Sequence, residues 1–248
     1  ARHTGIGGDG IILILPSSVA DFKMRIFNAD GSEAKMCGNG SRCVGKYVFD
    51  HNLTSSTNVT LETLSGVICL RLNPGADGKV ETVEVDMGTP ELTPERIPVI
   101  VADSQSNRNI EVEACGRTIY IDAVSMGNPH GVVFVDSLDA TDVALLGPAL
   151  ENHPIWPDRA NIEFVEVLTP QKVRMRVWER GSGETMACGT GACAVAVASI
   201  LSGRTAAGEI TVQLLGGDLR IAYDTASGHV FMTGPATEVF TGTAPLPE

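Results

Sequence analysis

The stretch FNADGSEAKMCGNG, Phe27–Gly40, occurs a second time in this chain as WERGSGETMACGTG, Trp178–Gly191. The two copies align without a gap, and each residue of the second copy stands 151 positions after its counterpart, as residue 188 does after residue 37. Each copy reads as a strand, a glycine-rich loop, Cys-Gly-x-Gly and a helix. Such a repeat predicts two similar domains with one cysteine each, Cys37 and Cys188, facing each other across a cleft.

The sequence around the repeat predicts mostly strands. Segments such as DFKMRIF, VETVEVD and KVRMRVW alternate apolar and polar residues with the period of a strand, and IILIL, VICLRL, GVVFVD, IEFVEVL, EITVQLL, DLRIAY and HVFMT read the same way. The sequence therefore favours an α/β (α+β, strand-rich) fold with two pseudo-symmetric domains. We expect residues 1–88 with 234–248 to form the half-domain of Cys37, and residues 89–233 that of Cys188.

Two helices are predicted, one directly after each cysteine. The first runs from about Gly40 to Asp50, with an apolar face that includes Val44, Tyr47 and Val48. The second, TGACAVAVASIL, ends at about Leu201 before a C-terminal Gly203. It is apolar almost all round, so we expect strands of a mixed sheet or barrel to surround it.

Composition excludes several classes of function. The formal net charge of −12 argues against sequence-independent binding to nucleic acid or to an anionic membrane. The early apolar run IILIL is too short for a membrane span or a signal peptide. Six cysteines in 248 residues are too few for a disulfide scaffold. We therefore expect a cytoplasmic protein with reduced thiols.

Cys-Gly-x-Gly at a helix start has a definite chemistry. The first amides of a helix lack partners within it, so they can hold a carboxylate, and their partial positive charge lowers the pKa of a thiol placed there. Two such elements put a sulfur on each face of the carbon beside the carboxylate. That arrangement suits inversion at the α-carbon of an amino acid, in which one thiolate removes a proton and the other thiol donates one. No motif for a pyridoxal cofactor is evident, and we expect no cofactor and no metal.

The motifs resemble those of the diaminopimelate epimerase family. NADGSEAKMCGNGSR (Asn28–Arg42), RHTGIGGDG, SMGNPH, RANIEF and ERGSGETMACGTGACA are similar to that family's blocks, in the same order and over nearly the whole chain. The resemblance implies a cofactor-independent, cytoplasmic isomerase that interconverts LL- and meso-diaminopimelate for lysine and peptidoglycan synthesis. It also implies two pseudo-symmetric domains, each built around a central helix, and a homodimer.

The resemblance assigns roles residue by residue. Cys37 and Cys188 match the catalytic pair. The positions that match substrate contacts are Asn28, Gly38, Asn39, Asn128, Asn161, Glu179, Arg180, Gly189 and Thr190. Arg180 suits the distal carboxylate of the substrate, because its guanidinium can form a bidentate pair. His130 and Glu179 match polar groups that assist ionisation of the thiols.

The family pattern has about one more strand and helix before RHTGIG, with an asparagine that touches substrate, and we expect a complete site to need that segment. GIGGDG, Gly5–Gly10, satisfies a dinucleotide-loop pattern, but a strand-like IILIL follows it where such a loop needs a helix. We interpret it as a turn.

The cysteines and His130 admit other interpretations. Cys43 and Cys193 lie within the predicted helices and are interpreted as core residues. A zinc site formed by these two with Cys37 and Cys188 is an alternative, although its spacings differ from the common knuckles. His130 could serve a cysteine hydrolase, which would not explain the repeat. A proline- or histidine-type racemase on the same scaffold is the alternative within the enzyme class.

Overall fold

The computed structural model describes residues 7–8, 10–102 and 106–243. The chain forms two compact units, one comprising the residues up to Glu84 together with those from Gly234 onward, the other Val85–Thr233. The predicted GIGGDG turn lies largely outside the described residues. The prediction that IILIL is a strand is confirmed, since a strand covers Gly10–Leu15.

The first unit is an open set of strands against one helix. Its strands are β1 (Gly10–Leu15), β2 (Phe22–Asn28), β3 (Glu33–Ala34), β4 (Asn58–Thr63), β5 (Gly66–Pro74) and β6 (Val80–Asp86). They are ordered β1-β2-β4-β5-β6, with β3 beside β2. Helix α1 (Gly38–Asp50) follows β3 and contacts β5. The chain passes into the second unit within β6.

The second unit is larger and has nine strands among the residues that the structure describes. They are β7 (Ile110–Ala114), β8 (Arg117–Ser125), β9 (Pro129–Phe134), β10 (Asn161–Thr169), β11 (Lys172–Glu179), β12 (Gly183–Thr185), β13 (Gly208–Leu214), β14 (Gly217–Tyr223) and β15 (Val230–Pro235). Their order is β15-β14-β13-β11-β10-β9-β8-β7, with β12 beside β11. Two helices complete it, α2 (Val143–Glu151) and α3 (Gly189–Leu201). A short 3-10 helix covers Pro94–Arg96.

The strand registers extend the sequence repeat far beyond its quoted motif. In the first unit Ile12 pairs with Ile26, and in the second Glu163 pairs with Val177, which lie 151 residues later. The same spacing relates the parallel pairs Phe22 with Leu61 and Val173 with Val212, and the two helices. Bidentate ion pairs repeat too: Arg25 binds Glu33, as Arg176 binds Glu184. The repeat is therefore structural as well as sequential.

The two repeated helices are covered to different degrees. Every residue of α3 from Gly191 to Ser199 is buried, and α3 contacts β8, β9, β10, β13 and β14, so the prediction of a central buried helix is confirmed there. Helix α1 buries Val44 and Val48 as predicted. The predictions that Tyr47 and Cys43 are buried are wrong: Tyr47 is 48% exposed, and Cys43 is exposed as well. Helix α1 therefore exposes a side that carries Cys43 and Tyr47.

Helix α2 was missed by the sequence analysis. Pro148 lies inside it, and proline is typical of a helix end, which hides a nine-residue helix in the pattern. Asp142 caps its start by accepting a hydrogen bond from the N–H of Leu145. Its apolar face joins the core that contains Leu146, Leu150 and Phe164. This packing, which involves residues distant in sequence, stabilises a helix that local propensity disfavours.

Candidate active site

Cys37 is the N-cap of α1. Its backbone is extended, with φ −146° and ψ 114°, and its Sγ accepts a hydrogen bond from the N–H of Gly40 at 3.4 Å. The N–H of Ser41 donates to the Cys37 carbonyl. The amides of Gly38 and Asn39 come before these and have no partner within the helix, because the first turn has no preceding carbonyls. The helix thus presents a thiol and two donor amides at one end.

Cys188 is the N-cap of α3 with nearly the same geometry. Its φ is −128° and its ψ is 112°, and its Sγ accepts from the N–H of Gly191 at 3.4 Å. The Thr190 hydroxyl lies 3.5 Å from the sulfur. The amides of Gly189 and Thr190 correspond to those of Gly38 and Asn39. Both copies therefore build the same thiol cap from local sequence alone.

The surroundings of Cys188 oppose its ionisation. Burial first, and then the negative charges of Glu179 and Glu163, raise the pKa of Cys188 above its ordinary value, while the hydrogen bonds from Thr190 and Gly191 lower it by less. The prediction of a lowered pKa is therefore wrong for Cys188, although the hydrogen bond from the helix amide acts in the predicted direction. Its side chain is buried among carboxylates, and desolvation outweighs the helix amides.

His130 is fully buried and lies in a chain of polar side chains beside this helix. Its Nδ1 is 2.7 Å from Oε1 of Glu163, and its Nε2 is 3.1 Å from Oδ1 of Asn128. His130 begins the parallel register of β9 with β10, opposite Asn161. Burial raises the pKa of the Glu163 carboxyl, and the interaction with His130 opposes that shift. Sequence reasoning selected His130 and Asn128 but missed Glu163.

Asn161, Glu179 and Arg180 come together at the ends of β10 and β11. The Asn161 side-chain oxygen accepts from the Arg180 N–H at 2.8 Å, and the Arg180 guanidinium donates to the Asp158 carbonyl at 3.0 Å. The hydroxyl of Thr185 donates to Glu179. Glu179 is the last residue of β11, as the sequence predicted. These contacts fix the loop that the repeat places before the second cysteine.

A second acidic residue that the sequence analysis missed, Glu151, binds this loop through hydrogen bonds. Glu151, the last residue of α2, is buried and accepts hydrogen bonds from the Trp178 indole N–H at 2.8 Å and from the Gly181 N–H at 2.9 Å. Arg159 lies 3.1 Å from the same carboxylate. Because α2 was not predicted, nothing in the sequence pattern pointed to Glu151.

The predicted site residues are divided between the two units. Cys37, Gly38 and Asn39 start α1, and the Asn39 side chain accepts from Arg42 at 3.0 Å. Asn28 ends β2, and its side-chain amide donates to Ser32. All the others lie in the second unit. The cleft that would unite the two groups stays a prediction, as do the individual roles and the predicted domain boundaries.

Two general observations concern metals and membranes. Across residues 7–8, 10–102 and 106–243, no group of three or more His, Cys, Asp or Glu side chains is arranged to hold a metal ion. In the same ranges, no helix has the length and apolar character needed to cross a membrane.

Solved structures show which class of fold this is. A PhzF-family phenazine biosynthesis protein from Bacillus anthracis matches with a TM-score of 0.64 at 19% identity, over 92% of this chain and 82% of its own. A hydroxyproline epimerase from Agrobacterium vitis, solved with trans-4-hydroxy-L-proline bound, matches with a TM-score of 0.63 at 20% identity, over 91% and 71%. The fold is the strand-rich α+β fold of these epimerase-like and PhzF-like proteins.

Sequence comparison is more specific. The family model described as diaminopimelate epimerase matches residues 1–93 and 122–239. A diaminopimelate epimerase from Acetivibrio thermocellus is 53% identical over 247 residues, covering 100% of this chain and 87% of the relative. One from Desulfovibrio desulfuricans is 54% identical over 246 residues, covering 97% and 85%. The chain belongs to the diaminopimelate epimerase family, and it is an isomerase.

Proposed function

We propose that this protein interconverts LL- and meso-diaminopimelate by a two-base mechanism in which Cys37 and Cys188 are the acid and the base. The observation that supports this most is the repeated cap, in which Sγ of each cysteine accepts an N–H hydrogen bond at 3.4 Å at the start of its helix. A hydrogen bond to sulfur favours the thiolate. The two amides between each cysteine and the glycine that donates this bond can hold the substrate carboxylate. Each copy thus provides a hydrogen-bonded sulfur and free amides at the start of one helix.

The protons balance over one turnover. One cysteine thiolate takes the α-proton and becomes a thiol. The electron pair left on the carbon is stabilised by the adjacent carboxylate, which the amides of Gly38, Asn39, Gly189 and Thr190 hold. The other cysteine then donates its proton to the opposite face and becomes a thiolate. No external oxidant, reductant or cofactor takes part.

The two cysteines begin the cycle in different states. Cys188 is 7% exposed, and burial raises its pKa, so it starts as the thiol that donates a proton. Cys37, which is partly exposed, is the base in the direction that uses Cys188 as the acid. The reverse reaction exchanges these roles, and that direction must first move a proton off Cys188.

The remaining polar groups bind the rest of the substrate. Arg180 is directed by Asn161 and Asp158, and its guanidinium retains further N–H donors for the distal carboxylate. Asn28, Asn128 and Glu179 bind the amino groups and carboxylates, while His130 supports Asn128. The protein works in the cytoplasm as a homodimer, within lysine and peptidoglycan precursor synthesis.

Isotope exchange tests the reaction directly. In deuterium oxide without added cofactor, LL-diaminopimelate should yield the meso isomer with one α-deuterium, separated by chiral chromatography and detected by mass spectrometry. Inversion requires that the new proton come from the second thiol, which exchanges with solvent. Epimerisation of proline or histidine in place of diaminopimelate would contradict the substrate assignment and favour the other racemase type.

Substitution of Arg180 tests how the far end of the substrate is bound. Arg180→Lys keeps the charge but loses the planar fork, so we expect kcat/KM for diaminopimelate to fall by about 1.5–3 kcal/mol, or about 10- to 150-fold. Arg174→Lys is a control on β11, the strand that precedes Arg180, where the arginine pairs with Asp139. An equal loss on a monocarboxylate amino acid would show that Arg180 does not bind the distal carboxylate.

A further inference from the structure

Glu163 is a buried carboxylate that the proposed mechanism leaves without a role. It lies in β10 within the run Asn161–Val165, all of which is buried. Its exposed fraction is 0%, and its Oε2 has no hydrogen-bond partner among the described residues. A carboxylate in such a place is costly unless it is paired or neutral, so its retention beside the second cysteine needs an explanation.

The carboxylate touches the first turn of α3. A Cβ at Gly191 would lie 2.6 Å from Oε1 of Glu163 and 3.3 Å from Sγ of Cys188. The Glu163 carboxylate and the Cys188 sulfur therefore both lie close to Gly191. The absence of a side chain at position 191 is what lets Glu163 approach the cap of the helix.

The contacts of His130 with Asn128 and Glu163 assign one shared proton to His130 and Glu163. The Asn128 oxygen faces Nε2 of His130, so Nε2 bears a hydrogen. The contact at 2.7 Å between Nδ1 and Oε1 then needs one more hydrogen, held either by the ring or by the carboxyl. Both forms are neutral as a pair. Loss of that one proton leaves a negative charge next to the Cys188 thiol.

We propose that Glu163 is a positioning residue for Cys188: through His130 it holds one proton in this buried pocket, and so it decides whether the negative charge beneath α3 lies on its own carboxylate or on the sulfur. Cys188 becomes a thiolate while the pair keeps its proton, and the thiol stays protonated once the pair has lost it. This inference rests on the proposed catalytic role of Cys188.

The titratable groups around the pair are consistent with such a competition. His130 faces Glu163 from β9, Glu179 acts on it from the end of β11, and Cys188 lies against it from α3. Three of these four groups are acids and one is a base. Coupled acids in a desolvated pocket ionise one at a time, because each charge raises the free energy of the next.

Alkylation of Cys188 tests the competition without relying on catalysis. The rate of iodoacetamide modification, followed at the Cys188 peptide by mass spectrometry across pH, reports the thiolate fraction. In Glu163→Gln the pH midpoint of Cys188 alkylation should fall by about one pH unit, which is the effect expected from removing a neighbouring like charge. At pH values below that midpoint, labelling should be about tenfold faster than in the wild type. The matched control is Glu166→Gln on the same strand, where the side chain accepts from Leu138, and its midpoint should equal that of the wild type.

An unchanged Cys188 midpoint in folded Glu163→Gln would overturn the proposal. If that variant does not fold, the reciprocal measurement decides, since coupling acts equally in both directions. The imidazole nitrogens of His130, followed by ¹⁵N NMR, should lose the shared proton about one pH unit lower in Cys188→Ala, because the sulfur no longer competes. Identical His130 titrations in the two proteins would equally refute it. If the wild type does not epimerise diaminopimelate but the Cys188 midpoint shifts as expected in Glu163→Gln, the inference about Glu163 stands and only the proposed reaction is contradicted.

Discussion

The two copies of the cysteine motif have the same backbone and opposite surroundings. Next to Gly40 lies Cδ1 of Ile12, 2.8 Å from where a Cβ would stand, and next to Gly191 lies Oε1 of Glu163 at 2.6 Å. Ile12 and Glu163 are themselves counterparts in the repeat. One cysteine cap is thus supported by an apolar side chain and the other by an acid, although both helices begin in the same way.

This difference separates what a cap provides from what its environment adds. The cap supplies a hydrogen bond to each sulfur, and that contribution is alike in both units. The environment adds burial and two carboxylates to Cys188, which raises its pKa. The lesson is that a repeated motif repeats its local geometry, whereas the ionisation of its thiol depends on residues far away in sequence.

The strongest challenge to the equivalence of the two copies is removal of each sulfur. Cys37→Ala and Cys188→Ala should each lower the rate of LL-to-meso conversion by about 10²–10⁴-fold, since inversion needs an acid and a base. The measurement is chiral chromatography of the product against time. Ser41→Ala, next to the first cap but outside its thiol chemistry, serves as a control. A variant lacking either sulfur with normal turnover would disprove the two-base mechanism.

A smaller effect, on stability, should distinguish the side chains next to the two glycines, Glu163 at Gly191 and Ile12 at Gly40. Gly191→Ala forces the Glu163 carboxylate away from a pocket where His130 holds it, so we expect a loss of about 2–3 kcal/mol in the free energy of unfolding. Gly40→Ala displaces only the end of the Ile12 side chain, and the alanine favours the helix, so the loss should stay below about 1 kcal/mol. Urea unfolding measures both. Equal losses would mean that the two supports do not differ in rigidity.

The smallest effect concerns the repeated ion pairs of the hairpins. Arg25 with Glu33 and Arg176 with Glu184 are bidentate but partly exposed. Glu33→Gln and Glu184→Gln should each lower the unfolding midpoint only slightly, because water and salt screen such pairs. The test is thermal or urea unfolding at low and high salt. A large fall in the midpoint for one copy alone, unchanged by salt, would show that this ion pair is shielded from solvent.

Local patterns predicted the elements that depend on neighbours in sequence. The alternation in DFKMRIF and KVRMRVW corresponds to β2 and β11, and the apolar run after Cys188 to α3. Helix α2 was not predictable, because Pro148 obscures it and packing against the strands maintains it. Cys43 and Tyr47 were misplaced for a related reason: an apolar residue on a helix is buried only where another element covers it.

For the site, local sequence was enough to predict the repeated Cys-Gly-x-Gly caps, the polar positions at strand ends and the family. Hydrogen bonds between residues three apart form these caps, so local sequence is sufficient. The packing of distant segments, in contrast, places Glu163 beside Gly191, lets Glu151 bind the loop of Arg180 and raises the pKa of Cys188 through burial. Desolvation and neighbouring charges set the pKa of a thiol through space. They depend on which segments, distant in sequence, pack around it.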